Sequence, residues 1–363
     1  MPKKDQCATC VVYKQKDIRK KTTLEMKEEY EQHCKNKERA REEKRLDKVK
    51  AVENSNYHVA TFDLQTVLQI PCSLVSQVYY TRKLSCYNLS FYSLKDSQAA
   101  CYLWNEAEGQ RGSCEIATCL LTYIKSLPTN IDQVAFYSDC CTGQHRNIFV
   151  AIALLHAVNS ISNIQTIHHK YLESGHTQME SDSIHAAIET AKKRTEVFVP
   201  SQWDTVIRLA RKKRPYTVVP LKYFDFLNLK PLGNSLLSAT AVDAKGQRVQ
   251  WMKIRWLRFR KSEPNDIFFK YQFDGDFRSM KIKSSRKTKA ATAPVPQLYL
   301  TKLSISSAKK ADLVSLCSDG TIPSEFHAYI KTLPDINTIR DRLPDPDIIE
   351  DNVDSDANLL FAI

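Results

Sequence analysis

The stretch QVAFYSD, residues 133–139, is an apolar run that closes on polar residues. Its length and its aromatic and β-branched content predict a buried strand. Residues 147–158 are apolar almost all round, which predicts a buried helix. Residues 164–172 predict another strand, and residues 180–194 predict a helix with its apolar positions on one side. This alternation indicates a sheet with helices on its faces.

The region upstream of this stretch predicts further strands. Residues 57–64, 76–93 and 102–104 are rich in aromatic and β-branched side chains, which favour extended backbone. Residues 114–127 predict a helix that leads into the strand at 133–139. A run of strands followed by alternating helices and strands indicates a mixed sheet, so the sequence predicts the α/β class.

The composition excludes several classes of protein. The chain has 363 residues, of which 42% are hydrophobic and 26% charged, and this ordinary balance excludes collagen-like, fibrous and wholly disordered proteins. No apolar run reaches the roughly 18 residues of a membrane helix, and the first ten residues lack an apolar signal core, so neither a membrane protein nor a secreted one is expected. The 11 cysteines therefore indicate free thiols in an intracellular, reducing compartment.

Three aspartates stand near the ends of predicted elements. Asp63 lies late in the first strand, Asp139 ends the central strand, and Asp182 begins the helix at 180–194. A few carboxylates usually hold Mg²⁺, and a pair of such ions can clamp the attacking and leaving oxygens of a phosphodiester. The three residues are therefore candidate catalytic ligands of Mg²⁺ or Mn²⁺. Each also fits a structural role, as a turn former, a helix cap or a first-turn acid.

Two segments resemble a known family. YSDCCTGQHRN at residues 137–147 and HKYLESGHTQMESDSIH at residues 169–185 resemble the S/T-D-N-C-x-G-Q-N-K-N and G-H-[ST]-x-x-x-x-D segments of a transposon-derived family of invertebrate genomes, classed as a domain of unknown function. The order strand-Asp, strand-Asp, helix-Asp also resembles the RNase H-like fold of DDE/D transposases and integrases. The residues that match the two segments are Asp139, Gly143, Gln144, Asn147, Gly175, His176 and Asp182.

The resemblance implies a fold and an activity. It implies an RNase H-like, five-stranded mixed sheet with flanking helices, and metal-dependent cleavage or strand transfer of DNA at Asp63, Asp139 and Asp182. The sequence departs from the family pattern at Cys140 and His145, where Asn and an Asn or Lys are expected. Both departures spare the carboxylates.

Other side chains near Asp182 are candidates for further roles. His176 is a candidate catalytic residue, as a proton shuttle or a contact to the scissile phosphate; the alternative is a histidine bonded to its own loop. His185, one turn past Asp182, is placed to orient that carboxylate. Glu173 and Glu180 are rival third acids.

A second type of metal site is predicted near the start of the chain. Cys7-x-x-Cys10 with His33 and Cys34 downstream is typical of part of a tetrahedral zinc site. Cys7, Cys10 and His33 are the candidate Zn²⁺ ligands. The alternative is a solvated, charged arm with unrelated thiols.

The net charge of +12 favours a polyanionic partner, and DNA is the one expected. Residues 251–261 alternate basic and apolar side chains, which predicts a strand with Met252, Ile254 and Trp256 on one face. The alternatives are a solvated basic surface and an edge strand protected by charge. The candidate nucleic-acid contacts are Lys192, Lys193, Arg194, Arg211, Lys212, Lys213, Arg214, Lys253 and Arg255. The basic run 211–214 also fits a nuclear-localisation patch, so a nuclear protein is expected.

The chain divides into six predicted segments. They are a charged helical arm at 1–54, an RNase H-like catalytic-type core at 55–215, a strand-containing extension at 216–277, a basic linker at 278–300, a small helical element at 301–340 and an acidic disordered tail at 341–363.

Three function classes follow from these features. The first is a metal-dependent transposase- or integrase-like enzyme, which could act as a homo-oligomer. The second is a domesticated, catalytically inactive nucleic-acid-binding protein with the same fold. The third is a zinc-bound interaction module built on the N-terminal cysteines.

Overall fold

The computed structural model describes residues 7–141, 145–237, 241–282 and 294–339, and a mixed sheet of ten strands lies at the centre of these residues. The strands are β1 (Tyr57–Leu64), β2 (Leu68–Ile70), β3 (Leu84–Ser93), β4 (Ala99–Asn105), β5 (Gln133–Ser138), β6 (Thr166–Tyr171), β7 (Thr217–Pro220), β8 (Trp256–Arg260), β9 (Asp266–Lys270) and β10 (Arg278–Lys281). Their order is β10-β9-β8-β6-β5-β1-β3-β4-β7, and β2 pairs with β3. The predicted α/β class with a mixed sheet is confirmed, and the sheet is larger than the five strands expected.

Parallel and antiparallel pairs divide the sheet. β1, β5 and β6 are parallel to one another, whereas β3 runs antiparallel to β1 and β4 antiparallel to β3. In the register of the central pair, Thr61 lies opposite Tyr137. Asp63 and Asp139 each follow two residues later, so the sequence brings both to the same edge of the sheet.

Helices cover both faces of this sheet. They are α1 (Ala8–Ile18), α2 (Leu24–Glu53), α3 (Ser76–Tyr79), α4 (Ser113–Ser126), α5 (Ile148–Ser160), α6 (Ser181–Lys192), α7 (Pro200–Leu209), α8 (Lys230–Leu236), α9 (Ser307–Ser318) and α10 (His327–Thr332). A parallel pair of two-residue strands, β11 (Ile305–Ser306) and β12 (Asp335–Ile336), accompanies α9 and α10. None of the helices in the described ranges is long and apolar enough to cross a membrane.

The alternation of side chains along β1 and β5 creates two cores. Phe62 and Phe136 point to the face covered by α4 and α5, where the largest apolar cluster lies. Val59 and Tyr137 point to the other face and pack with α2. The apolar sides of α6, α7 and α9 cover the rest of that face, next to β3 and β4. Asp63 lies four residues after Val59 and therefore on the same face of β1, the face covered by α2 and α6.

The charged arm docks on the sheet through buried polar contacts. Lys170 of β6 is 1% exposed, and its Nζ lies 2.6 Å from Asp47 and 2.7 Å from Glu43 of α2. The hydroxyls of Tyr57 and Tyr137 donate to the carboxylate of Asp47 at 2.9 and 2.6 Å. Because α2 has few apolar residues, these polar contacts hold it on the sheet, as a hydrophobic stripe does for other helices.

Two predicted segments are wrong in part. The strands expected at 76–93 begin with α3, and β3 starts only at Leu84. The sequence also predicts a helix over residues 201–214, but this helix ends at Leu209, and the basic residues after it form a turn that leads into β7. Composition alone did not locate the ends of these elements, because polar residues are common both at strand ends and in short helices and turns.

The predicted boundaries after residue 215 need a further correction. β7, β8 and β9 of the expected extension at 216–277 belong to the same sheet as β1 to β6. β10 also belongs to it and occupies the first residues of the expected linker at 278–300. The strand predicted over 251–261 starts at Trp256, after a 3₁₀ turn at Trp251–Lys253. The predicted tail at 341–363 lies outside the described residues.

Candidate functional site

Asp63 and Asp139 meet at the end of the central parallel pair. Asp63 Oδ1 accepts a hydrogen bond from the Leu64 amide at 2.9 Å, and Asp139 Oδ1 accepts one from the Cys141 amide at 3.1 Å. Both side chains are partly buried. Pairing with Ser90 of β3 holds the backbone of Asp63, and Asp139 directly follows the end of β5. Both carboxylates therefore lie at the same edge of the sheet.

Asp182 joins them from the first turn of α6. Ile184 and Ile188 of that helix pack in the core beside β3, which holds the helix against the end of the sheet. The Met179 amide donates to Asp182 Oδ2 at 3.2 Å, so the loop before α6 sets the orientation of this exposed carboxylate.

Asp63 belongs to two groups of potential metal ligands. Oxygen or nitrogen atoms of Asp63, Asp139 and His145 lie within 4.8 Å of one another, and those of Asp63, Asp182 and His185 do so as well. Each group could hold a metal ion. The three sequence-predicted aspartates are thus brought together, with Asp63 common to both groups.

The two inner acids differ in their pKa values. Burial raises the pKa of Asp63 to about 7, and the nearby charge of Asp139 adds to the effect. Burial also opposes ionisation of Asp139, but the charge and hydrogen bond of His145 outweigh it and hold the pKa of Asp139 below its usual range. The same contact raises the pKa of His145 against its own burial. These opposite shifts favour a charged Asp139 beside a protonated His145.

His145 and His185 are two histidines of this site whose placement depends on the tertiary structure. His145 Nδ1 hydrogen-bonds Asp139 Oδ1, and its Nε2 is buried with no hydrogen-bond partner in the described part of the chain. His185 Nε2 lies 3.1 Å from Ser90 Oγ, and its Nδ1 lies 4.0 Å from Asp63 Oδ2. The sequence signal for His185 was its position one turn after Asp182, but the structure directs it toward Asp63. His145 appeared in the sequence only as a departure from a pattern.

A third group of potential ligands, separate from the carboxylate centre, forms where the arm meets the loop before α6. Atoms of Cys7, Cys10, His33 and His176 lie within 4.8 Å of one another and could hold a metal ion. His176 Nε2 lies 3.1 Å from Cys10 Sγ. This placement turns the ring of His176 toward the thiols, a metal-ligand position that the sequence did not indicate. Cys34, the neighbour of His33, is outside the group.

A cleft of about 510 Å³ lies between the two centres. Its walls include Cys10 and His176 from one centre and Asp182 from the other, and the arm adds the cations Lys14 and Arg41. Arg41 Nε is buried with no hydrogen-bond partner among the described residues. Neither cation was among the predicted nucleic-acid contacts, because nothing local in the sequence shows which side of the arm faces Asp182.

Several of the predicted nucleic-acid contacts have partners within the fold. Arg255 Nη2 lies 3.0 Å from Glu173 Oε2, and its Nη1 donates to Cys140 Sγ at 3.2 Å. Arg211 and Arg214 donate to main-chain carbonyls of the turn between β3 and β4, at Ser97 and Asp96. These three arginines therefore brace the fold, a role that a basic run in sequence does not show.

The remaining predicted contacts lie at the surface. Lys192 is partly buried and pairs with Glu189 at 3.1 Å. The exposed members are Lys193, Arg194, Lys212, Lys213 and Lys253.

Comparison of the chain with protein-family models, with curated proteins and with solved structures finds no match.

Proposed function

We propose that this protein is an RNase H-like, transposase- or integrase-like enzyme that cleaves or joins DNA phosphodiesters with Mg²⁺ or Mn²⁺ at Asp63, Asp139 and Asp182. The observation that carries the proposal is the position of Asp63 between two acids that come from β5 and α6. Two-metal phosphodiester chemistry needs two ions about 4 Å apart, and a carboxylate shared by both positions suits that need.

The order of the inner strands supports the same interpretation. Five strands lie side by side in the order β4-β3-β1-β5-β6. The pairs β4–β3 and β3–β1 are antiparallel, whereas β5 and β6 run parallel to β1. The helices α4 and α5 connect β4 to β5 and β5 to β6, and the third acid follows on α6. A five-stranded mixed sheet followed by a helix that bears the third acid is what the resemblance to DDE/D proteins implies, so this order supports the proposal, with the outer strands taken as additions.

The donor set fits hard divalent cations. Carboxylate oxygens are the ligands that Mg²⁺ and Mn²⁺ prefer. Such ions, when bound, polarise the scissile phosphate and activate the attacking water or DNA 3′-hydroxyl. Asp63 would be the ligand common to two ions, while Asp139 and Asp182 would each bind at one side. His185, whose pKa is lowered to about 4 by burial, stays neutral and positions Asp63.

Positive charge beside Asp182 supports a polyanionic substrate. Lys14 and Arg41 line the cleft next to this carboxylate, and cationic side chains there suit the oxygens of a phosphate group. The exposed Lys193 and Arg194 follow at the end of α6, roughly 16 Å along the helix from Asp182. We therefore assign DNA as the substrate class and the cleft as its path to the acids.

The decisive experiment is calorimetric titration with Mn²⁺ in the presence of a short DNA duplex. We expect Asp139→Asn to weaken Mn²⁺ binding more than about tenfold, which corresponds to about 1.4 kcal/mol. Asp204→Asn removes an α7 carboxylate that pairs with Arg208, and it should bind Mn²⁺ like the wild type. Equal binding by wild type and Asp139→Asn would refute the proposal. Nicking of the duplex in Mn²⁺ by the wild type alone would extend it to catalysis.

DNA binding without turnover is the second candidate function. The ion pair between Asp139 and His145 favours it, because a protonated imidazole competes with a metal ion for that carboxylate. This function predicts that the wild type binds DNA but neither binds Mn²⁺ nor cleaves. His145→Asn, the residue type of the resembled family, should then recover Mn²⁺ binding.

A further inference from the structure

We propose that Cys7, Cys10, His33 and His176 bind one structural Zn²⁺ ion, which joins the N-terminal arm to the loop before α6. The two cysteines flank the start of α1, and His33 lies within α2. His176 lies far along the chain, between β6 and α6. Two cysteine thiolates and two histidine imidazoles are a common ligand set of structural zinc sites.

The distances in the cluster match a tetrahedron of such ligands. Cys7 Sγ and Cys10 Sγ lie 3.3 and 3.4 Å from His33 Nε2, and Cys10 Sγ lies 3.1 Å from His176 Nε2. Zinc–sulfur and zinc–nitrogen bonds of about 2.3 and 2.0 Å give a tetrahedral edge of roughly 3.5 Å between S and N. All four ligand atoms lie within 4.8 Å of one another, as the ligands of one ion do.

The surroundings of His33 supply a second observation. His33 is 9% exposed, and its other ring nitrogen, Nδ1, lies 3.5 Å from Glu173 Oε1. A carboxylate on the far nitrogen of a metal-bound histidine fixes the tautomer that leaves Nε2 free to ligate. Arg255 in turn holds Glu173, with Nη2 3.0 Å from its Oε2. This chain from β8 through Glu173 to His33 gives the cluster an outer shell.

Gly175 explains how the arm reaches the loop so closely. It has a positive φ of +70°, and a Cβ at this position would lie 2.6 Å from the Cα of Cys7. Only glycine both adopts this conformation readily and leaves room for Cys7. The two neighbouring residues therefore have complementary roles: Gly175 allows the close approach of Cys7, and His176 binds the ion.

The ion would also fix the loop that orients Asp182, and this part of the inference rests on the proposed function. His176 is three residues before Met179, whose amide holds the Asp182 carboxylate. Lys44 of α2 adds a second tie, with Nζ 2.9 Å from the Gln178 carbonyl. Arm, loop and the start of α6 thus form one connected unit.

The test is the metal content of the purified full chain, measured by mass spectrometry for wild type, Cys10→Ser, His176→Asn and the control Cys34→Ser. We expect about one zinc per chain in the wild type and in Cys34→Ser, and little in the other two. Cobalt replacement gives a readout on the wild type itself, because tetrahedral Co²⁺ with two thiolates absorbs strongly in the visible range. Glu173→Gln should lower the zinc affinity about 10–100-fold.

Two outcomes would overturn the proposal. One is a wild-type chain without zinc and without a tetrahedral cobalt spectrum after metal loading. The other is a His176→Asn variant that retains full zinc affinity, which would remove the link to the loop. Both readouts are independent of Mn²⁺ at the carboxylates, so a failure here and a failure of the proposed function are separate results.

Discussion

At the scale of single residues, Gly175 and Gly246 share a left-handed backbone but differ in their surroundings. Their φ angles are +70° and +77°, and a Cβ at Gly246 would meet no atom within 4 Å, whereas one at Gly175 would collide with Cys7. Gly246→Ala should therefore cost only the conformational penalty of about 1–2 kcal/mol. Gly175→Ala should cost more, because it also forces the arm away from the loop.

Urea unfolding of the two glycine variants measures this difference. Limited proteolysis should in addition cleave the arm of Gly175→Ala faster than that of Gly246→Ala. Equal free energies of unfolding and equal cleavage would show that Cys7 does not need the close approach.

Buried His58 makes stability depend on pH. Its Nε2 lies 2.9 Å from Tyr123 Oη, and burial lowers the pKa of His58 from 6.5 to about 4, with Asp96 opposing this shift and Lys95 reinforcing it. The unfolded chain takes up a proton at this position below pH 6.5, and the folded chain does so only near pH 4. The free energy of unfolding therefore falls as pH falls through this range, by up to about 1.4 kcal/mol per pH unit.

The measurement compares urea unfolding at pH 7 and pH 5. Between these values the wild type should lose roughly 1–2 kcal/mol more than His58→Gln, which cannot titrate. His327→Gln removes a partly exposed histidine and serves as the control. A His58→Gln variant as acid-sensitive as the wild type would contradict the assignment.

At the scale of elements, the docking of α2 depends on Lys170. Lys170→Met leaves Asp47 with the tyrosine hydroxyls and without its cation, and breaking a buried pair in this way costs about 3–5 kcal/mol. Lys192→Met removes a lysine from the more open pair with Glu189 on α6, and it should cost less than about 1 kcal/mol.

Thermal or urea unfolding of both lysine variants provides the comparison. Hydrogen exchange should also become faster along α2 in Lys170→Met, because this helix has little apolar surface to hold it. Similar stability of the two variants would mean that α2 is held by other contacts.

At the scale of the whole molecule, the net charge of +12 makes the DNA binding proposed above dependent on salt, and the proposal places the DNA in the cleft. Each phosphate contact contributes a slope of about 0.9 to the plot of log affinity against log salt concentration. The double variant Lys14→Gln/Arg41→Gln should therefore lower the steepness of this plot by about 2. Lys16→Gln/Arg19→Gln makes the same change of charge at exposed positions at the end of α1, outside the cleft lining, and should keep the wild-type slope.

Fluorescence anisotropy with a labelled duplex at several salt concentrations measures both slopes. If the two double variants lose the same slope, the arm contributes only a general positive field and the cleft is not the DNA path.

Much of the architecture is predictable because its signals are local. The apolar run at 133–139, the apolar residues at 147–158 and the aromatic and β-branched residues at 57–64 each reflect their own surroundings, and the two strands and the helix form there. The aspartates at the ends of these elements are predictable for the same reason. The sheet's outer strands are not, since pairing between β6 and β8 joins residues about 90 positions apart.

The sequence by itself determined the α/β class, the central strands and the three acids, because hydrophobic periodicity and element ends are properties of neighbouring residues. Only the tertiary structure decided which distant side chains share a site. Packing of α2 on β6 brings Cys7, Cys10 and His33 to His176, and helix α6 turns His185 toward Asp63. The tertiary structure also gives Arg211, Arg214 and Arg255 partners within the fold. Such meetings depend on the path of the whole chain, which no local pattern of residues encodes.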